Sequence, residues 1–220
     1  MKLHVVTVFL GPDGRGGNLL GVFLDPDLDA DERQKVAADL GYSETVFVTD
    51  VARGELHIHT PAVEIPLAGH PLVGTAWLLA EQGTPVDVLR PPAGEVPTWA
   101  ADGLRWIRAN PADAQTFEFR RLGSPAEVEA FPGADSDDTH LEVWAWIDEA
   151  AGRVRARVFP TAFGIAEDEA TGAAALAFTA HLGRDLDIRQ GVGSQLRTRL
   201  LPSGLVEVGG RVRHVETREY

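Results

Sequence analysis

Two stretches about 100 residues apart, Leu72–Leu79 (LVGTAWLL) and Ala173–Ala180 (AAALAFTA), have helical composition and no polar face. A helix that is apolar on all sides has to be buried nearly all round, so each must be wrapped by a sheet with only its ends free. Each opens at a glycine. Gly69-His70-Pro71 precedes the first, with proline suited to a first helical turn, and Thr171-Gly172 follows an acidic run into the second. The first N–H groups of a helix lack intrahelical acceptors and carry the positive end of the peptide dipole, so each start can hold a carboxylate or an enolate.

The surroundings of the two helices correspond in order. His59-Thr60-Pro61 stands where Phe159-Pro160-Thr161 stands, Gly69-His70 matches the helix start after Asp168, and the helices stop near Gly83 and Gly183. We read a strand, loop and helix given twice, hence an α+β chain of two similar domains, 1–110 and 111–220, crossing at Asn110-Pro111. Each domain is expected to wrap a curved, mostly antiparallel sheet around its one long central helix, with the last strand free to return to the first domain. The two helix starts would then face each other across an interdomain cleft.

Strands are expected at Leu3–Phe9, Leu19–Leu24, Val46–Val48, Leu56–Thr60, Val86–Leu89, around Trp99 and at Leu104–Ala109. In the second half they fall near Thr116–Arg120, Leu141–Ile147, Val154–Phe159, Leu196–Leu201, Leu205–Val208 and Val212–Val215. Asp29 or Asp31 can cap a helix that runs through Leu40 and ends at Gly41, and a short helix fits Pro125–Ala130. Ser203-Gly204 and Gly209-Gly210 read as hairpin turns, and the aspartates of the polar loop 133–138 as solvated.

Composition narrows the chemistry. The absence of cysteine excludes disulfides, thiolate metal sites and thiol bases, so acid–base work falls to Asp, Glu, His or Tyr. A formal net charge of −13 opposes nucleic acid and anionic membranes as partners. No apolar run approaches the roughly 20 residues that span a bilayer, and the N-terminus lacks a signal-peptide pattern, so a cytoplasmic location is expected. His57, His59 and Glu64 approach a metal-ligand spacing, but they lie on a strand that feeds a helix and read as satisfied histidines in preference to a metal centre. Glu44, taken alone at a strand start, reads as a solvated turn carboxylate.

Taken together, Gly17-Asn18, Ser-Glu-Thr-Val-Phe-Val at 43–48, the Thr60–Pro71 segment with Ala-Gly-His-Pro, Gly-Ile-Ala-Glu-Asp-Glu-Ala-Thr-Gly at 164–172 and Gln190-Gly191 resemble the PhzF-like family of phenazine biosynthesis isomerases. That family shares the diaminopimelate epimerase fold. The resemblance implies a cofactor-independent isomerase or epimerase shifting a proton on a small carboxylic acid, with Glu44 as general acid/base and His70 and Asp168 beside it. Asn18, Gly69, Thr171, Gly172 and Ala173 would bind the substrate; a homodimer is left open. Leu19, Glu169 and Ala173 depart from the family pattern, which has proline, proline and serine at these positions. The last departure removes a hydroxyl, so a non-catalytic carboxylate-binding protein of the same fold is the alternative, and a metal enzyme on His57, His59 and Glu64 the remote one.

Overall fold

The computed structural model describes residues 1–134 and 140–220; the expectation for the aspartates at 135, 137 and 138 lies outside the described residues. In chain order the first half is β1 (Lys2–Leu10), β2 (Asn18–Leu24), α1 (Ala30–Leu40), β3 (Glu44–Asp50), β4 (Glu55–His59), β5 (Glu64–Ile65), α2 (Gly69–Glu81), β6 (Val88–Leu89), β7 (Val96–Ala101) and β8 (Leu104–Ala109). A turn of 3-10 helix at Pro111–Asp113, capped by Asn110, leads into the second half. There follow β9 (Glu118–Arg121), α3 (Pro125–Glu129), β10 (Leu141–Asp148), β11 (Arg153–Phe159), α4 (Gly172–Leu182), β12 (Leu186–Gln190), β13 (Ser194–Leu200) and β14 (Val206–Glu219).

The duplication is visible in the topology. α1 carries the chain from β2 to β3 in parallel, β3 turns back into β4, and a loop then leads into α2. In the same order α3 joins β9 to parallel β10, β10 turns back into β11, and a loop leads into α4. After α2 the chain returns parallel to β4 at the Glu55–Arg90 bridge, as β12 returns parallel to β11 after α4. The remaining pairings of named strands are antiparallel.

Local chemistry sets the helix limits. Asp29 accepts the Glu32 N–H and Glu32 accepts the Asp29 N–H, a reciprocal cap for α1, and Gly41 closes that helix in the left-handed conformation. α1 shields Leu3, Val5, Phe23 and Phe47, while α3 shields Leu141, Val143, Ala145 and Phe159 at the equivalent place. α2 and α4 are buried as their composition requires: residues 69–76 of α2 and 172–176 of α4 are all buried. Leu72, Leu79, Leu176 and Phe178 share one core that runs through both halves. Among the described residues, no helix is long and apolar enough to cross a membrane.

Two expectations are corrected at the C-terminus. Leu186–Gln190 is a strand that the sequence analysis did not list; its Leu186 and Ile188 point inward. Gly209-Gly210 is not a hairpin turn but lies inside β14, which pairs with β13 and β8 over residues 206–210 and with β1 over residues 211–219. A Cβ on Gly209 would overlap the Trp106 indole, and one on Gly210 would overlap the Phe9 ring. Phe9 itself is a bulged residue at φ 68, where the register of β1 against β14 shifts. The glycines therefore let two aromatic rings lie against the backbone as the last strand passes from one half to the other.

Gly210→Ala is expected to lower the unfolding free energy by roughly 1–3 kcal/mol through overpacking against Phe9, as read by chemical denaturation. A neutral result would show that β14 bends away from the ring at little cost.

Candidate active site

The loops before α2 and α4 bring the two helix starts into backbone contact. A Cβ on Gly69 would stand 2.9 Å from Cα and C of Gly172, and one on Gly172 would stand 2.5 Å from the His70 nitrogen. Only glycine on both sides permits this approach. Neither helix has a side-chain cap, because Ala68 cannot supply one and Thr171 gives its hydroxyl elsewhere. The first-turn N–H groups of both helices are thus concentrated at one place.

Three acid–base groups converge there. Glu44, at the first position of β3, meets His70 from α2, with His70 Nδ1 and Glu44 Oε2 3.0 Å apart. The imidazole is 2% exposed and the carboxylate 14%. His70 Nε2 is buried and has no hydrogen-bond partner among the described residues. Glu44 Oε1 has no hydrogen bond to any described residue.

Asp168 enters from the second half. Its N–H donates to the Val158 carbonyl at 2.9 Å, extending the edge of β11, and this bridge aims the side chain at the start of α4. Its carboxylate accepts from Asn18 Nδ2 and from the Thr171 hydroxyl, both at 2.6 Å. Gln190 locks the turn: its amide donates to the Asp168 carbonyl and to Thr171 Oγ1, and its oxygen accepts the Thr171 N–H. Burial raises the Asp168 pKa to about 7, aided by the Glu44 charge and opposed by Thr171, His70 and Asn18.

Glu44, His70, Asp168, Gly69, Thr171, Gly172 and Ala173 all line one enclosed cavity of about 20 Å³. Ile65, Phe117, Pro160, Phe163 and Ile165 supply apolar walls, and Gln115 another polar group. That volume suits one water molecule, so anything larger enters only when the lining moves. Asn18 does not line the cavity; it stands behind Asp168 and orients it. Gln115 and the phenylalanines were not identified from sequence, and nothing in their local pattern marks them.

The three departures take definite places. Leu19 is 42% exposed on β2, Ala173 presents a methyl group to the cavity, and Glu169 turns away to bond the 192–194 turn. The structure does not gather His57, His59 and Glu64 as a ligand set. His57 Nδ1 bonds Glu64 Oε1 at 2.6 Å, while His59 Nδ1 turns to Gln34 at 2.9 Å. Among the described residues, no group of three His, Asp or Glu side chains could hold a metal ion.

Comparison with known proteins identifies the family and the fold. Residues 9–130 match the model of the family described as phenazine biosynthesis-like protein. The chain is 31% identical over 227 residues to trans-2,3-dihydro-3-hydroxyanthranilate isomerase of Pseudomonas chlororaphis, covering 80% of this chain and 81% of the relative. Among solved structures, a phenazine biosynthesis PhzC/PhzF protein of Clostridium difficile superposes with a TM-score of 0.78 at 18% identity, over 100% of this chain and 99% of that one. A predicted epimerase of Pseudomonas aeruginosa does so with a TM-score of 0.76 at 21% identity, over 100% and 98%.

A folded-state pKa of about 7 for Asp168 means that the native protein binds a proton there which the unfolded chain has released above about pH 4. That stabilisation is complete below the unfolded pKa and is lost as pH rises through 7. Asp168→Asn, which mimics the neutral form, should therefore gain stability relative to the wild type from pH 4 to pH 8, by at most about 4 kcal/mol. Melting curves of both proteins across that range check this, and a difference that does not change with pH would refute it.

Proposed function

The chain belongs to the phenazine biosynthesis-like, PhzF-like family and is an isomerase, and on that premise we propose that it shifts a proton on a small carboxylic acid without a cofactor. Glu44 is the general acid/base in this reading. The observation that carries it is the meeting of two uncapped helix starts at Gly69 and Gly172, with Glu44, His70 and Asp168 around the same enclosed cavity.

Glu44 takes a proton from a carbon conjugated with the substrate's carboxyl group, and the electron pair left behind moves into that conjugated system. The N–H groups near Gly69, Gly172 and Ala173 hold the charge that develops, in a site walled by apolar side chains. Glu44 exchanges that proton with solvent and then delivers a proton to another carbon, so the product is an isomer and no oxidant or reductant is consumed. His70 donates to Glu44 Oε2 and keeps Oε1 turned to the carbon; Asp168, with a pKa near working pH, and Thr171 bind polar groups of the substrate. Asn18 acts through Asp168. We further read residues 1–110 and 111–220 as the two units that part to admit the substrate, with β14 as the strand that rejoins them.

The Ala173 methyl group in the cavity favours one alternative, a protein that binds a carboxylate without turning it over. Both readings are tested in heavy water with trans-2,3-dihydro-3-hydroxyanthranilate, the compound for which the Pseudomonas chlororaphis relative is named. The isomerase reading expects isomerisation with deuterium at the new C–H, and a loss of about 10²–10⁴-fold in Glu44→Gln with folding intact. Wild-type rates in Glu44→Gln would remove Glu44 from the mechanism; binding without exchange in the wild type would select the alternative.

A further inference from the structure

Glu169 follows Asp168 directly, yet it does not line the cavity, and the proposed reaction gives it no role. Its carboxylate is nonetheless heavily bonded. Both oxygens accept the Val192 N–H at 3.0 Å, and Oε1 accepts the Ser194 hydroxyl at 2.6 Å. With its O–H donated in a hydrogen bond to Glu169, the Ser194 hydroxyl oxygen accepts the Gly17 N–H at 2.7 Å. Gly17 is joined by its peptide bond to Asn18, whose amide donates to Asp168 Oδ1 at 2.6 Å and to the Ala170 carbonyl at 3.4 Å.

These links close a ring that runs Asp168, Glu169, Ser194, Gly17, Asn18 and back to Asp168. It ties the loop before β2, in the first half of the chain, to two segments of the second half. The fit is tight: a Cβ on Gly16 would overlap the Ser194 backbone, and one on Gly191 would overlap the Glu169 carboxylate. Ser194 is 1% exposed. An acceptor-only group at Glu169 also fixes the direction of the serine O–H, and so requires the serine lone pair to face Gly17.

We propose that Glu169, acting through Ser194, is a positioning residue that holds the Asn18 amide against Asp168 and so fixes the Asp168 carboxylate at the mouth of α4. The catalytic meaning of this ring rests on the reading of Asp168 as a site acid, whereas the ring itself can be tested in the resting protein.

The test is ¹³C-carboxyl NMR of Asp168, assigned by its disappearance in Asp168→Asn, together with the Asn18 side-chain amide protons. Donation by Asn18 holds the Asp168 pKa down, so releasing it in Glu169→Ala or Ser194→Ala should raise the midpoint and remove the downfield shift of the Asn18 signal. Glu169→Gln keeps an oxygen for Ser194 and should fall between wild type and alanine. Glu167→Gln removes a carboxylate of the same loop that pairs with Arg157 instead, and should change neither signal. The proposal is overturned if the alanine variants melt earlier while both signals stay at their wild-type values, or if Glu167→Gln moves them equally. If Glu169→Ala does not fold, Ser194→Ala and Glu169→Gln give the same decision. Because no turnover is measured, a failure of Glu44 as the shuttle would leave this result standing.

Discussion

The contact between Gly69 and Gly172 is the constraint on which the rest of the structure depends. Two helices meet start to start, and each carries roughly half a positive charge there from aligned peptide dipoles. Left alone, such ends repel, and their unpaired N–H groups would be buried without acceptors. Glu44 enters from β3 and Asp168 from the bridge to β11, placing two carboxyl groups at the junction. The helices are also locked sideways: both are buried all round in a core common to the two halves, so neither can slide to relieve the contact.

Burying acids has an energetic cost, and this fold carries it twice. Asp168 is raised to about 7 mainly by burial, and Glu142 on β10 to about 8 by burial alone. Glu142 pairs across the sheet with Val158 and Phe119, on the face that α4 covers, and its Oε2 has no hydrogen-bond partner among the described residues. Both groups are therefore most comfortable when protonated, and both lose their contribution to stability as pH rises through 7 to 8. In the proposed reaction the cost at Asp168 coincides with a use, because a carboxyl group poised near neutrality can either donate or accept at the substrate. For Glu142 the structure shows the cost without the use.

How much of this could be read beforehand depended on whether the signal was local. The two buried helices declared themselves by lacking a polar face, and the α1 cap was narrowed to Asp29 or Asp31, between which the structure selects Asp29. Glu44 was different: a carboxylate at a strand start has no distinguishing neighbours, and only the resemblance of the Ser43–Val48 segment to a family pattern singled it out. Gly209-Gly210 misled because a glycine pair marks a tight turn and a close aromatic contact equally well, and only Trp106 and Phe9, distant in sequence, decide between them. Leu186–Gln190 does alternate inward and outward, but its five residues lie between Gly183 and Gly191 and carry only two apolar side chains, Leu186 and Ile188. The link from Gly17 to Ser194 spans 177 residues and leaves no trace in either segment.

The departures around α4 make physical sense when taken together. Alanine at 173 leaves the cavity wall without the hydroxyl that the family pattern would supply, so the polar character of this helix start rests on Asp168, Thr171 and the backbone N–H groups. A site with fewer donors tolerates less looseness in those that remain, since a displaced carboxylate has no neighbour to replace it. Proline at 169 would restrict the backbone after Asp168 but reach nothing beyond it. Glutamate at 169 reaches across to Val192 and Ser194, and through Ser194 to the loop that carries Asn18. Rigidity that proline would supply within one loop is supplied here by hydrogen bonds that join three segments and both halves of the chain.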